Sequence, residues 1–346
     1  MMKKNFLPDW ALLAYGVTAI LAALCLVLVG CGSGIATGLP GPSQPLAAVA
    51  SGPVLGYVFS PSDGTLRAMQ GVRGSSQMSA SIVPAGVYVA GEASVASSTA
   101  LLEDGSGTLF AFNLPQSQPV HVVDGLAAGV RIAFSGSGKN AIAYVPGGAS
   151  ITVMTGLPAS PQVQKRAVPA GMQMVSAAVS DAGTIALAAE STPMAVGVLS
   201  AAGQYSSLVS VTALGGMSFM PGADDLLVAD SGANTATLVR NASGSAASQA
   251  LAVAGLNRPV AIAGSHDGRF AVIANGGDAN VFRVDLTGAT AAAKMTCACQ
   301  PALLGQLAGG STFRLNSLYG GPVWTVNLSS AAPQLLFVPA IAKGTP

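Results

Sequence analysis

The apolar positions of this chain fall into short runs separated by small polar turns, and the arrangement repeats. Four segments align: GKNAIAYVPGGASITVM from Gly138, GTIALAAESTPMAVGVL from Gly183, DDLLVADSGANTATLVR from Asp224 and GRFAVIANGGDANVFRV from Gly268. A fifth, STALLEDGSGTLFAFNL from Ser98, fits the same template. Each holds a turn, an apolar strand, a small polar turn and a second apolar strand. The equivalent positions Ser98, Gly138, Gly183, Asp225 and Gly268 recur at intervals of 40–45 residues. A further apolar run precedes each unit, as in VRIAF (130–134), VSAAV (175–179), GMSFM (216–220) and VAIAG (260–264). Another follows, such as YSSLVSV (205–211) or SQALAVA (248–254). Four strands per unit at this period predict the blades of a β-propeller. The preceding runs, rich in small residues, are expected innermost, where strands crowd near the axis. Stacked blades bury both sheet faces, so the strands read as nearly continuous apolar runs rather than alternating ones.

The expected fold is therefore all-β, with four-stranded antiparallel sheets over residues 54–346. Inner strands are expected near residues 95, 132, 177, 217, 261 and 313, which gives six blades as first choice and seven as second. The ends are less regular. GYVFSPSDGTLRAMQGV (56–72) supplies two strands, and STFRLN, PVWTVNL and QLLFVPA supply about three more. The N-terminal strands are expected to complete a blade begun at the C-terminus, latching the ring by non-local pairing. The turns Ser265-His266-Asp267-Gly268 and Ser180-Asp181-Ala182-Gly183, with strands such as LLVADSGANTATLVR, resemble bacterial YVTN, NHL and WD40-like propellers over about residues 90–290. No copy carries the Trp-Asp pair of true WD40 repeats. The resemblance implies a scaffold and leaves the activity open.

The first 30 residues follow another pattern. Lys3 and Lys4 precede an apolar run from Trp10 to Gly30, the form of an export signal. The run ends in Leu28-Val29-Gly30-Cys31, which resembles the bacterial lipobox. That resemblance implies a diacylglyceryl group on the Cys31 sulfur and cleavage before Cys31. The competing reading is an uncleaved membrane helix, since about 20 apolar residues span a bilayer. Both readings place the later domain outside the cytoplasm, with the lysines inside. Gly32 stands where an inner-membrane retention signal has Asp, which implies an outer-membrane destination if the organism has two membranes. Residues 31–53 are read as the lipidated Cys and a tether rich in Gly, Pro, Ser and Ala, with a reach of roughly 25 Å.

Composition sharpens this picture. The chain is 51% hydrophobic but only 5% aromatic, and charged residues are 8%, against roughly 25% in typical soluble domains. Small strands with Gly-rich turns suit these figures; amphipathic helices with charged outer faces do not. Of the 15 basic and 14 acidic side chains, Lys3, Lys4 and Asp9 lie in the first 30 residues, so the remainder is neutral overall. There is no basic stripe for nucleic acid.

Candidate chemistry is sparse. His121 reads as part of an outer strand and His266 as part of a turn, with nothing to mark a nucleophile and base in reach of each other. Glu103, Asp104, Glu190, Asp230 and Asp278 recur near the turn between paired strands. They either bond local backbone amides or converge on a cation, which takes such oxygen ligands. Cys297 and Cys299 form a Cys-Xaa-Cys pair, open to a local disulfide, to free or differently paired thiols, or to a metal or redox role. No cofactor or metal is called for. The leading expectation is a non-enzymatic binding or scaffold protein, lipid-anchored at the membrane, with a protein partner at the envelope. The alternative is a lactonase-like hydrolase or lyase with channel carboxylates and a divalent cation. Three or more Asp, Glu or Asn side chains at one channel mouth would favour the enzyme; a wall of Ala, Val and Ser would favour the scaffold.

Overall fold

The computed structural model describes residues 52–115, 118–318, 321–330 and 332–340. The proposed lipid site, Cys31, and the export segment lie outside them. By its contacts the chain divides into Met1–Gln44 and Pro45–Pro346, and only the second unit contains described residues.

That unit is a propeller of seven sheets. Blade 1 holds β1 (Val54–Ser60), β2 (Thr65–Val72) and β3 (Ser75–Ser81). Blade 2 holds β4 (Tyr88–Ser94), β5 (Thr99–Asp104), β6 (Leu109–Asn113) and β7 (Pro119–Val123). Blade 3 holds β8 (Arg131–Phe134), β9 (Ala141–Tyr144), β10 (Ser150–Thr155) and β11 (Gln162–Ala167). Blade 4 holds β12 (Gln173–Val179), β13 (Ile185–Glu190), β14 (Met194–Leu199) and β15 (Tyr205–Val211). Blade 5 holds β16 (Leu214–Phe219), β17 (Leu226–Asp230), β18 (Thr235–Arg240) and β19 (Ala247–Ala250). Blade 6 holds β20 (Pro259–Gly264), β21 (Phe270–Asn275), β22 (Asn280–Asp285) and β23 (Ala293–Thr296). Blade 7 holds β24 (Gly305–Gln306), β25 (Thr312–Arg314), β26 (Val323–Asn327) and β27 (Gln334–Val338). Every sheet is an antiparallel meander.

Two expectations need correction. The ring has seven blades, not six. The segment near residue 313 is the second strand of its blade; the inner strand is the two-residue β24. Nor do the N-terminal strands complete a C-terminal blade. β1, β2 and β3 form their own sheet, and blade 7 draws all four strands from the C-terminal region. The ring closes by stacking instead: Val58 and Met69 of blade 1 bury against Leu307, Leu318, Val323 and Val338 of blade 7.

The core is accordingly not one mass but seven layers, one between each pair of adjacent blades. Strand residues alternate between layers. Ile185, Leu187 and Ala189 of β13 face blade 3, while Ala186 and Ala188 face blade 5. Ile142 and Tyr144 of β9 face blade 4, and Ala141 and Ala143 face blade 2. The period of two survives with both phases apolar, which is why the sequence shows unbroken runs.

The inner hairpins are set by a recurring Ser-Xaa-Xaa-Gly turn. Gly138, Gly183 and Gly268 adopt φ of +70°, +86° and +70°, a region costly for residues with a Cβ. Their amides donate to the carbonyls of Ser135, Ser180 and Ser265. Each Ser Oγ accepts an amide from the start of the next strand: Asn140 at 3.3 Å, Thr184 at 3.1 Å and Phe270 at 2.9 Å. Small residues then let inner strands approach. A Cβ added at Gly216 would lie 3.0 Å from the Cα of Ala261 in the next blade.

Candidate functional site

The innermost strands enclose a central channel of about 690 Å³. Its wall is built as their sequences suggest: Ile132 and Ala133 from β8, Ala177 from β12, Met217 from β16 and Ala263 from β20. At the face bearing the Ser-Xaa-Xaa-Gly turns, Gly136, Pro221, His266 and Gly310 form its mouth.

Polar side chains on the wall include Glu92, His266, Gln306 and Arg314. Arg314 is 5% exposed. Its Nη1 donates to the Asn316 carbonyl at 3.1 Å, and its Nη2 lies 3.8 Å from Glu92 Oε1. The latter is a loose ion pair, beyond hydrogen-bond length. It joins blade 7 to blade 2 across the channel side of blade 1. No sequence signal marks two residues so distant in the chain as partners.

The five carboxylates singled out from the sequence do not gather at the channel. They sit in the second-to-third-strand turns of blades 2, 4, 5 and 6, on the opposite face. Asp230 accepts backbone amides from Thr212 (2.7 Å), Ala213 (3.1 Å), Gly232 (2.9 Å) and Ala233 (3.0 Å). Burial pushes its pKa up, but those amides together outweigh it and hold the carboxyl below its ordinary value. Asp104 accepts from Ser106 and Thr108 within its own turn. Asp278 accepts from Asn275 and Asn280. Glu103 is buried, and burial followed by the Asp104 charge pushes its carboxyl upward. Glu190 is exposed. Among the described residues no three His, Cys, Asp or Glu side chains come together as a metal-binding group.

The histidines lie apart. His121 is in β7, an outer strand, and its Nε2 is 2.9 Å from Asp124 Oδ1 on an exposed surface. The ring of Phe110 meets His121 edge to face at 6.2 Å. His266 stands in the blade 6 turn at the channel mouth, where its backbone amide donates to the Gly310 carbonyl at 2.9 Å. Its place on the channel could have been inferred from the step that follows β20, since every such turn rims the same opening.

A third group of side chains on the mouth face ties blades together. Asp181 Oδ1 accepts the Ser137 amide at 2.7 Å, and its Oδ2 accepts the Gly222 amide at 2.8 Å. One carboxylate of blade 4 thus bridges the turns of blades 3 and 5. Burial raises its pKa, but the bonds from Ser137 and Gly222 prevail and lower it. Asn140 Nδ2 donates to the Ser180 and Asp181 carbonyls, and Thr184 Oγ1 donates to Asp224 Oδ2 at 2.9 Å.

Cys297 and Cys299 sit in the link from β23 to β24. A disulfide joins them, with a Cα–Cα distance of 5.0 Å. Cys297 is buried in the layer between blades 6 and 7, and its amide donates to the Ala279 carbonyl.

Comparison with known proteins supports the architecture and leaves the chemistry open. No protein-family model matches the chain, and no curated protein matches it by sequence. Solved structures do match by fold. Virginiamycin B lyase from Staphylococcus aureus aligns with a TM-score of 0.55 at 11% identity, over 73% of this chain and 84% of that one. A protein of unknown function from Desulfotomaculum acetoxidans gives 0.57 at 14% identity, over 84% and 96%. PorZ of Porphyromonas gingivalis, a bacterial surface component of the type-IX secretion system, gives 0.55 at 14% identity, over 88% of this chain and 40% of that one. At such identities the likeness is one of fold: this chain is a β-propeller.

Proposed function

We propose that this chain is an exported propeller of the YVTN/NHL/WD40-like kind, anchored by lipid on Cys31, that serves as a non-enzymatic binding or scaffold protein at the cell envelope. The observation that carries the non-enzymatic reading is the distribution of carboxylates. Three of the five candidates, Asp104, Asp230 and Asp278, accept bonds from their own turns or nearby links, and the channel wall is mostly small and apolar. The wall carboxylate–guanidinium pair, Glu92 with Arg314, offers a point of polar recognition rather than an acid–base couple. Similar folds include both a lyase and a secretion-system component, so the scaffold alone does not choose between classes.

The alternative, a channel-site hydrolase or lyase, draws on one specific observation: His266 stands at the channel mouth. A general base needs a group to orient it, and the only polar contact described for His266 is made by its backbone. Affinity capture from detergent-extracted membranes separates the two readings. The binding reading expects one envelope protein to co-purify in stoichiometric amount, and to be retained by His266→Ala. Absence of any stoichiometric partner, together with a turnover activity abolished by His266→Ala, would replace it with the enzyme.

A further inference from the structure

The Cys297–Cys299 bond does little of what a structural disulfide does. It closes a ring over one residue, Ala298. A cross-link of so short a span removes little freedom from the unfolded chain. Nor does the link from β23 to β24 depend on it. Thr296 Oγ1 donates to Asn280 Oδ1 at 2.8 Å, the Cys297 amide donates to the Ala279 carbonyl at 2.9 Å, and the Gln300 side chain donates to the Gly276 carbonyl. The Ala302 amide donates to the Leu315 carbonyl at 2.8 Å. These bonds tie both sides of the pair to blades 6 and 7 whether or not the sulfurs are joined. One fold therefore serves the oxidised and the reduced states.

The two cysteines are placed unequally. Cys297 is 4% exposed, in the layer between blades 6 and 7 with Phe313 and Leu315. Cys299 is half-buried, between the exposed Ala298 and Gln300. One end of the bond meets solvent and the other is sheltered. Thiol–disulfide exchange needs access to one sulfur only, and exposed disulfides are the labile ones. The link lies on the face of the second-to-third-strand turns, since Gly276 and Ala279 belong to that turn of blade 6.

We propose that Cys297–Cys299 is a redox site that exchanges with dithiols of partner proteins, with Cys299 as the sulfur attacked. A partner thiolate attacks Cys299 Sγ, forms a mixed disulfide and breaks the bond to Cys297 Sγ. Cys297 Sγ leaves with the electron pair and takes up a proton, because an apolar layer disfavours the thiolate. The partner's second thiolate then attacks the partner sulfur of the mixed disulfide, and Cys299 Sγ is released and protonated in turn. The partner dithiol loses two electrons and two protons, and the cysteine pair gains them. A disulfide-bearing protein restores the pair by the reverse steps. The site needs neither the lipid anchor nor the binding reading above.

The test uses the full-length protein, extracted in detergent and exposed to reduced glutathione. Alkylation and mass spectrometry of the tryptic segment 295–314 report the pair separately from Cys25 and Cys31. Reduction of the folded protein is expected at no less than about one hundredth of the rate in denaturant, since no unfolding is required. Any slower reduction would make the bond a structural one and overturn the proposal. Single variants test the order of attack. With oxidised glutathione, Cys297→Ser is expected to take up glutathione on Cys299 at least about tenfold faster than Cys299→Ser takes it up on Cys297. A smaller ratio, or the reverse order, would contradict the assignment of Cys299. Finally, a synthetic peptide carrying two cysteines is expected to be oxidised one for one by the parent and left reduced by Cys297→Ser with Cys299→Ser. Peptide thiols that persist with the parent would rule out the exchange.

Discussion

The two faces of the ring use the same side chain for different work. On the mouth face, two aspartates reach far along the chain: Asp181 binds amides 44 and 41 residues away, and Asp224 accepts a hydroxyl 40 residues away, whereas Asp267 binds within its own turn. On the opposite face they bind close by. Asp104 reaches 2 and 4 residues, Asp278 reaches 3 and 2, and Asp230 reaches at most 18. Carboxylates cross-tie blades on the mouth face; on the other the carboxylates hold their own blade, and ties between blades fall to other groups, the Asn234 side chain accepting the Arg258 amide and the Met174 carbonyl accepting the Gly147 amide. A ring held by stacked layers needs register between blades, and polar ties at the rims supply it.

The comparison breaks most visibly at Asp181. Asp181→Ala strands two amides in different blades, and each bond to a charged acceptor contributes about 1.5–3 kcal/mol. The expected loss is about 3 kcal/mol by denaturant unfolding, with faster exchange in the turns of both blade 3 and blade 5. A loss confined to blade 4 would deny the cross-tie. Asp230→Ala is expected to cost about 2 kcal/mol. Its exchange effects should stay near residues 212–213 and 231–234, and spread into other blades would erase the distinction between the faces.

Acid should expose the cross-tie too. Asp181 has a folded pKa below its unfolded value, so its contribution is present above about pH 4 and is lost as pH falls through the folded pKa. Asp181→Asn should therefore flatten the fall in melting temperature below pH 4 relative to the parent; parallel profiles would show that this carboxylate does not carry the effect. The smallest change is expected at the disulfide. Cys297→Ser with Cys299→Ser closes no large loop in the unfolded chain, so the cost should be about 1–2 kcal/mol with partner binding retained. A larger loss, or lost binding at unchanged stability, would give the pair a role beyond its link.

The paired second and third strands were legible because both phases are apolar and the turns carry Gly, Asp and Asn, as in LLVADSGANTATLVR. The blade count was not, for two local reasons. β24 is only Gly305-Gln306, with no apolar run to reveal it, so the stronger segment around Phe313 reads as an inner strand. With that strand hidden, β1 and β2 read as part of a C-terminal blade rather than of their own. The small-residue wall of the channel followed from VSAAV and VAIAG, but the Glu92–Arg314 pair did not, because it depends on how the ring closes. Asp181 looked like an ordinary turn residue. Its side chain leaves its own turn for those of its neighbours, and only the packing of adjacent blades brings those amides within reach.

The functional reading depends on the ring being held at a membrane through Cys31, and the intact mass of protein extracted from membranes tests that directly. The account predicts a chain beginning at Cys31 and carrying lipid mass, with Cys31→Ser accumulating as uncut precursor. A chain beginning at Met1 with no added lipid would contradict it.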